Sequence, residues 1–365
     1  MAIMEDRHII PFYVRISIFI TGIYFFVYIL FIAQGIIIPI IFSIFFAIVL
    51  NPIVNLFVKF KFNRVIAIAL TLILAIIFIA TLGTFLVSQA SRFSESWPVL
   101  VEKFTEYLNQ SISWASDYFN IKPQKVVEWV ASTKNEFIQL SGSSVGKTLL
   151  NIGSGLFALL LIPVYVFMIL FYQPLLLDFF HKLFGTGNRI KLNEIISQTK
   201  IVVQRYLTGL FIETIIVAIL NSGALLILGI EYAILLGIIG SLLNLIPYIG
   251  GLVAVAMPMM IAVVTKSTAW YALYVLVLYY IIQLIDNNYI VPKIVASKVK
   301  INALVSIIAV ISFGVLWGIP GMFISIPLTA ILKLIFDRIE SLKPWGFLLG
   351  DTMPTTTKLI FRKKA

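Results

Sequence analysis

The stretch Asn244-Leu245-Ile246-Pro247-Tyr248-Ile249-Gly250-Gly251 breaks an apolar run that extends from Ala233 to Val264. Proline has no N–H and clashes with the turn before it, and paired glycines allow backbone angles that other residues avoid. As one straight helix the run would measure about 48 Å, against a hydrocarbon core of about 30 Å. Each arm, Ala233–Ile246 or Leu252–Val264, is too short to cross alone. One solution is a hairpin that enters a membrane, turns at Pro247–Gly251 and leaves on the side it came from. The other is a long span, kinked and tilted. Irregular backbone at membrane depth is tolerated only inside protein or beside a wet cavity. Pro247, Tyr248, Gly250 and Gly251 are therefore candidate gating residues.

A second run, Ile301–Ile335, has the same anatomy, with its break at Gly318-Ile319-Pro320-Gly321. Charge placement favours hairpins in both places. If Ala233–Val264 crossed once, the following span, Ala269–Val291, would deliver Lys293, Lys298 and Lys300 to the outside. As a hairpin, it leaves only Lys266 outside and puts those three lysines inside, as the positive-inside rule requires. The two units, each a long span followed by a broken run, then start from opposite sides. That is the pattern of an inverted repeat, which transporters use to bind substrate near the midplane.

The rest of the chain fits a polytopic membrane protein. It is 61% hydrophobic and 12% charged, whereas soluble proteins average about 25% charged residues. The net charge of +11 sits in short loops beside apolar spans, which is a topology signal and not a nucleic-acid footprint. There is no cysteine, and the two histidines, His8 and His181, lie far apart. No disulfide, thiolate or zinc cluster is expected, and no cofactor or metal. No nucleophile–base set falls inside the spans, so an enzyme is not expected.

Eight hydrophobic segments follow in order, and the expected fold is all-α. Residues 1–87 hold three spans, about Ile16–Ala33, Ile36–Val58 and Val65–Val87. Residues 88–148 form a polar insert of balanced charge, where Leu100, Phe104, Leu108, Ile112 and Trp114 recur at helical spacing. Its end, Ser141 to Thr148, imitates a phosphate loop but has serine at the first glycine position, so it reads as a plain loop. Residues 149–204 hold span four, about Leu149–Phe171, and a basic linker from Asp178 to Arg205 that suits a helix along the inner surface. Residues 205–335 form the transport core, and 336–365 a basic tail. Both termini are expected inside.

Polar residues within spans are costly and mark function by default. Glu213 lies two turns into span five; it either serves transport or pairs with a linker lysine or arginine. Asn244 either binds substrate or ties up backbone groups freed by Pro247. Asn221 and Ser222 suit helix–helix hydrogen bonding. Gln283, Asp286, Asn287 and Asn288 form the densest polar group in any span. Gln283, Asp286 and Asn287 share a helical face by their spacing. They suit a cation, a polar solute or a proton relay, or else pairing with basic residues at the inner interface.

These residues, in this order, resemble the autoinducer-2 exporter (AI-2E) family of bacterial membrane proteins. The likeness runs through Gln204-Arg205-Tyr206 with Gly209, Asn244–Gly250, Gln283 with Asp286-Asn287, Pro292-Lys293-Ile294-Val295, Gly318, Gly321 and Ile326-Pro327-Leu328. Gly251, Ala296, Ala303 and Asp286 depart from the family's commoner residues. The resemblance implies an eight-segment inner-membrane secondary transporter and a homo-oligomer. It further implies either export of an autoinducer-2-like signal or exchange of a monovalent cation for protons. A membrane scaffold that transports nothing is the contrasting expectation.

Overall fold

The computed structural model describes residues 11–119, 160–184, 189–246, 250–266, 268, 270–294 and 301–351. Among them every regular element is helical, apart from one isolated antiparallel bridge between Ile301 and Gly350. Six helices are long and apolar enough to cross a membrane, or seven if one bent pair is counted as a span. The chain is therefore an all-helical polytopic membrane protein.

Helix α1, Phe12–Ile32, has no buried residue and exposes Ile, Phe and Tyr all round. Such a helix belongs in an apolar surround. It turns at Ala33 into α2, Gln34–Lys59. One face of α2 is buried, and Ser43 on it donates a hydrogen bond to Pro39 O (2.6 Å) within α2 and to Ile162 O (3.2 Å) on α4, Leu160–Phe171. Helix α3, Arg64–Phe119, runs unbroken for 56 residues, about 84 Å. The change of composition at Ser88 is thus not a break in the backbone, and the start of the insert continues span three. Beyond that point the Phe93 ring meets the edge of Tyr232 at 5.3 Å, and Phe104 packs on the cluster around Ile261 and Val264. The phosphate-loop imitation at 141–148 lies outside the described residues.

After α4 the chain bends by 65° at Tyr172 into α5, Gln173–Phe184. Arg64 fixes the bend by donating to Leu170 O (3.1 Å) and Gln173 Oε1 (2.8 Å). Helix α5 is described to Phe184, and residues 185–188 of the linker lie outside the described residues. Helix α6, Arg189–Ile227, then carries Lys191, Lys200 and Arg205 straight into span five. No proline lies between Arg189 and Ile227 to stop it.

The first broken run folds back on itself. Helix α7, Ala233–Asn244, and helix α8, Gly250–Thr265, form a hairpin. A Cβ at Gly250 would strike Leu243 O, and Gly240 faces Ala254 across the two arms. At the open end, Lys266 Nζ lies 3.1 Å from where a Gly229 Cβ would stand. Both arms therefore start and finish together. The hairpin is seated on α6 by Gly237, where a Cβ would collide with the Ser222 backbone.

The second run, α10, Ala303–Arg338, folds back at Gly318, which has φ 64° and ψ −148°. Only glycine adopts such angles without strain. In a straight helix residues 314 and 322 would stand about 12 Å apart; here a Cβ on Gly314 would meet the Met322 side chain, and one on Gly321 would strike Phe313 O. At the open end, Lys333 lies beside Gly350, which pairs with Ile301. Asn302 caps the first arm by accepting from Val305 N–H (2.9 Å). It also donates to Leu348 O (2.7 Å) on α11, Lys343–Leu349.

The two hairpins open toward opposite ends of α6. An ion pair between Glu194 and Arg338 holds the base of the second at the start of α6. The base of the first follows the end of α6 at Ile227. The hairpins approach one another around Tyr206 and Leu210, where Leu245, Phe323 and Ile326 pack together.

Candidate functional site

Three elements meet at the tip of the first hairpin. Helix α6 supplies Glu213, 6% exposed, and α7 ends on Asn244. Helix α9, Trp270–Ile285, runs into a π turn, Asp286–Ile290, that begins with Asp286, 1% exposed. The Asn244 amide Nδ2 donates to Asp286 Oδ2 at 2.9 Å and reaches Glu213 Oε1 at 3.5 Å. One amide thus bridges two buried carboxyl groups from different helices.

Among the described residues the pair has no cationic partner. Among the described residues the ion pairs join Asp178 to Lys182, Glu194 to Arg338, Lys333 to Asp337 and Glu340 to Lys343. Pairing of Glu213 with a linker lysine or arginine is not what the structure shows. Arg205, two turns earlier on α6, is exposed, while Glu213 turns inward toward Asn244. Two like charges sharing a site repel, and a proton or a small cation between them relieves the repulsion. No group of three or more metal-ligating side chains occurs among the described residues.

The polar group on α9 divides. A π turn is a single-turn bulge in an α-helix and occurs frequently at functional sites. Here Asp286 and Ile290 are buried while Asn287, Asn288 and Tyr289 face outward. Gln283 donates to Asn287 Oδ1 at 3.5 Å, so these two do share a face. Asn288 donates to Leu284 O at 2.8 Å and takes no part in the carboxyl pair. Gln283 also presses on the hairpin: a Cβ on Gly251 would lie 2.7 Å from its Oε1. Pro247 and Tyr248 fall outside the described residues. Among the described residues, no hydrogen bond links the break at Gly318, Pro320 and Gly321 to Glu213, Asn244 or Asp286.

Beside Asn244 lies a cavity of about 10 Å³, walled by Asn221, Gly240, Gly251, Tyr279 and Gln283 among others. That is near the smallest volume that holds one water. Among the described residues the buried Tyr279 hydroxyl and Asp286 Oδ1 have no hydrogen-bond partner. Tyr279 stands four residues before Gln283 and seven before Asp286, on the same face of α9. That spacing was available in the sequence, but an aromatic ring in an apolar span carries no signal of its own.

Two glycine-broken hairpins opening in opposite directions in a helical membrane protein have the broken-helix, inverted arrangement that is found in membrane transport proteins. The particular family follows from comparison. The model of the AI-2E family transporter family matches residues 16–341, and the chain belongs to that family. The AI-2 transport protein TqsA of Escherichia coli K12 is 24% identical over 321 residues, covering 87% of this chain and 90% of that protein. YhhT of the same strain is 23% identical over 88% of this chain and 90% of its own length. YueF of Bacillus subtilis is 33% identical over 117 residues, 32% of this chain.

Proposed function

We propose that this protein is a secondary transporter that moves a small polar solute out of a bacterial cell, gated at the first hairpin and coupled to protons through Glu213 and Asp286. The observation that carries this reading is the shared amide. Asn244 sits at the tip of a hairpin and touches both carboxyl groups. Opening of that tip changes the surroundings of both acids at once, and their protonation in turn biases the tip. Binding at one point then shifts a two-state element, as alternating access requires. Both termini, under this reading, lie on the cytoplasmic side, where the basic loops gather.

An autoinducer-2-like signal is the solute favoured by the name of TqsA. Exchange of a monovalent cation for protons is the second reading, favoured by a cavity near the size of one water. Proteoliposomes test both, with internal pH and autoinducer-2 efflux followed while sodium, lithium or potassium is added. Asp286→Asn keeps the Asn244 contact possible but removes the titrating group. It is expected to abolish pH-coupled flux, with Glu213→Gln weakening it. Wild-type flux that survives Asp286→Asn unchanged would remove the carboxyl pair from the mechanism. Absence of any flux would favour a non-transporting scaffold.

A further inference from the structure

The turn between α2 and α3 and the bend between α4 and α5 lie side by side, held by one residue. Arg64, at the start of α3, donates to Leu170 O near the end of α4 and to Gln173 Oε1 at the start of α5. Helix α4 is apolar enough for a membrane span, and α5 leaves its direction by 65°. At 12 residues, about 18 Å, α5 is too short to cross a core of about 30 Å. Its two sides differ. Leu175, Leu176, Phe179, Phe180 and Leu183 are exposed and fall on one stripe by their helical spacing. Leu177 and His181 are half-buried on the opposite side, where His181 Nε2 lies 2.6 Å from Asn193 Oδ1 of α6. Lys182 pairs with Asp178 at 2.9 Å along the edge of the stripe. The neighbouring turn has a matching character. Lys61 adopts a left-handed backbone, φ 68°, and Phe60 and Phe62 on either side of it are exposed. Lys59 and Lys61 are exposed too, and neither has an acidic partner among the described residues.

We infer that α5 and the α2–α3 turn form one platform in the membrane–water interface that takes anionic phospholipid, with the α5 stripe against acyl chains and Lys59 and Lys61 at lipid phosphates. The bend favours lipid over another protein. With α4 along the membrane normal, α5 lies closer to the plane of the bilayer than to its normal, and its stripe begins where the apolar span ends. A helix so placed, apolar on one face and charged at the edge, lies in the interface. Phenylalanine alternating with lysine suits the same depth. The rings enter the acyl boundary, while the lysine stems follow apolar surface and leave their ammonium groups among the headgroups. Each lysine there favours anionic lipid by about fivefold. Through His181 and Asn193 the platform also holds the start of α6, the helix that carries Glu213. The platform stands whether or not the protein moves a solute.

The chain contains no cysteine, so single introduced cysteines report position directly. Full-length protein carrying Leu175→Cys, Phe179→Cys or Leu183→Cys is labelled with a nitroxide. It is placed in vesicles of phosphatidylcholine and phosphatidylglycerol in equal parts. Access of oxygen against access of a water-soluble nickel chelate gives the depth of each label. All three should favour oxygen and sit at one shallow depth. A helix crossing the core would spread them over about 12 Å, and that result overturns the platform. Labels open to the nickel chelate also overturn it, because α5 would then face water. Labels shielded from both reagents do the same, because protein would then cover the stripe. The lipid preference is read from a fluorophore on Phe60→Cys, quenched by spin-labelled phosphatidylglycerol or spin-labelled phosphatidylcholine. Phosphatidylglycerol should be preferred by at least about fivefold. Lys59→Gln together with Lys61→Asn should remove that preference, asparagine being chosen because it tolerates the left-handed backbone. Equal quenching by the two lipids overturns the assignment, as does a preference that the double variant leaves unchanged.

Discussion

The two hairpins share a backbone device and differ in everything attached to it. Each places glycine where its arms touch: Gly250 against Leu243 O in the first, Gly321 against Phe313 O in the second. The first ends on Asn244, whose amide engages two buried acids. The second turns through Gly318 with Val315 and Ile319 exposed and no hydrogen bond to the acids among the described residues. Instead it is fastened to the first two helices. The Trp317 indole donates to Leu30 O at 3.1 Å, and Phe323 stacks on Phe42 at 5.8 Å. The first hairpin packs on α3, α6 and α9, the second on α1, α2 and α6. In this inverted pair one hairpin carries the amide that meets the buried acids and the other is fastened to the first two helices. Topological symmetry does not impose identical contacts, because the backbone sets the turn while the tip side chains set what it meets.

The comparison can be pressed first where the hairpins agree. Gly250→Val and Gly321→Val each force a side chain onto a carbonyl of the opposite arm. Each should cost about 3 kcal/mol, the upper end for overpacking, read as a fall in the detergent unfolding midpoint. A loss in one variant only would mean that the arms are not equally close. The hairpins should part company at their tips. Asn244→Leu removes the donor from two buried acids. It should cost about 2 kcal/mol of stability and reduce pH-coupled flux at least about tenfold. Trp317→Phe removes one hydrogen bond and should cost about 1 kcal/mol, with coupling to pH unchanged. If Trp317→Phe abolished coupling as Asn244→Leu does, the division between a working hairpin and a fastened one would fail.

Much of this was legible in the chain. Two apolar runs too long for one crossing and broken by proline and glycine define the hairpins. The positive-inside rule gave their opposed directions. Glu213, Asn244 and Asp286 stand out because a polar residue in an apolar span is conspicuous. The face shared by Gln283, Asp286 and Asn287 was only partly right. Helical spacing assumes 3.6 residues per turn, and the π turn at Asp286 rotates Asn287 outward while keeping it in reach of Gln283. Tyr279 was missed for a different reason. Its significance is an unengaged hydroxyl, and engagement is a property of neighbours.

By itself, then, the sequence determined the class, the membrane setting, the two breaks and the acids, since each is a local departure from an apolar background. The tertiary structure decided the rest. It set Glu213 against Asn244 and not against a basic residue of the linker. It ran α3 and α6 through the boundaries that composition suggested, past Gly83 and Pro98 in α3 and Gly209 and Gly223 in α6, because packing outweighs local propensity in deciding where a helix continues. It fastened one hairpin and left the other holding the acids. Those outcomes depend on which faces meet across long stretches of chain, and in an apolar sequence many faces look alike until they are packed.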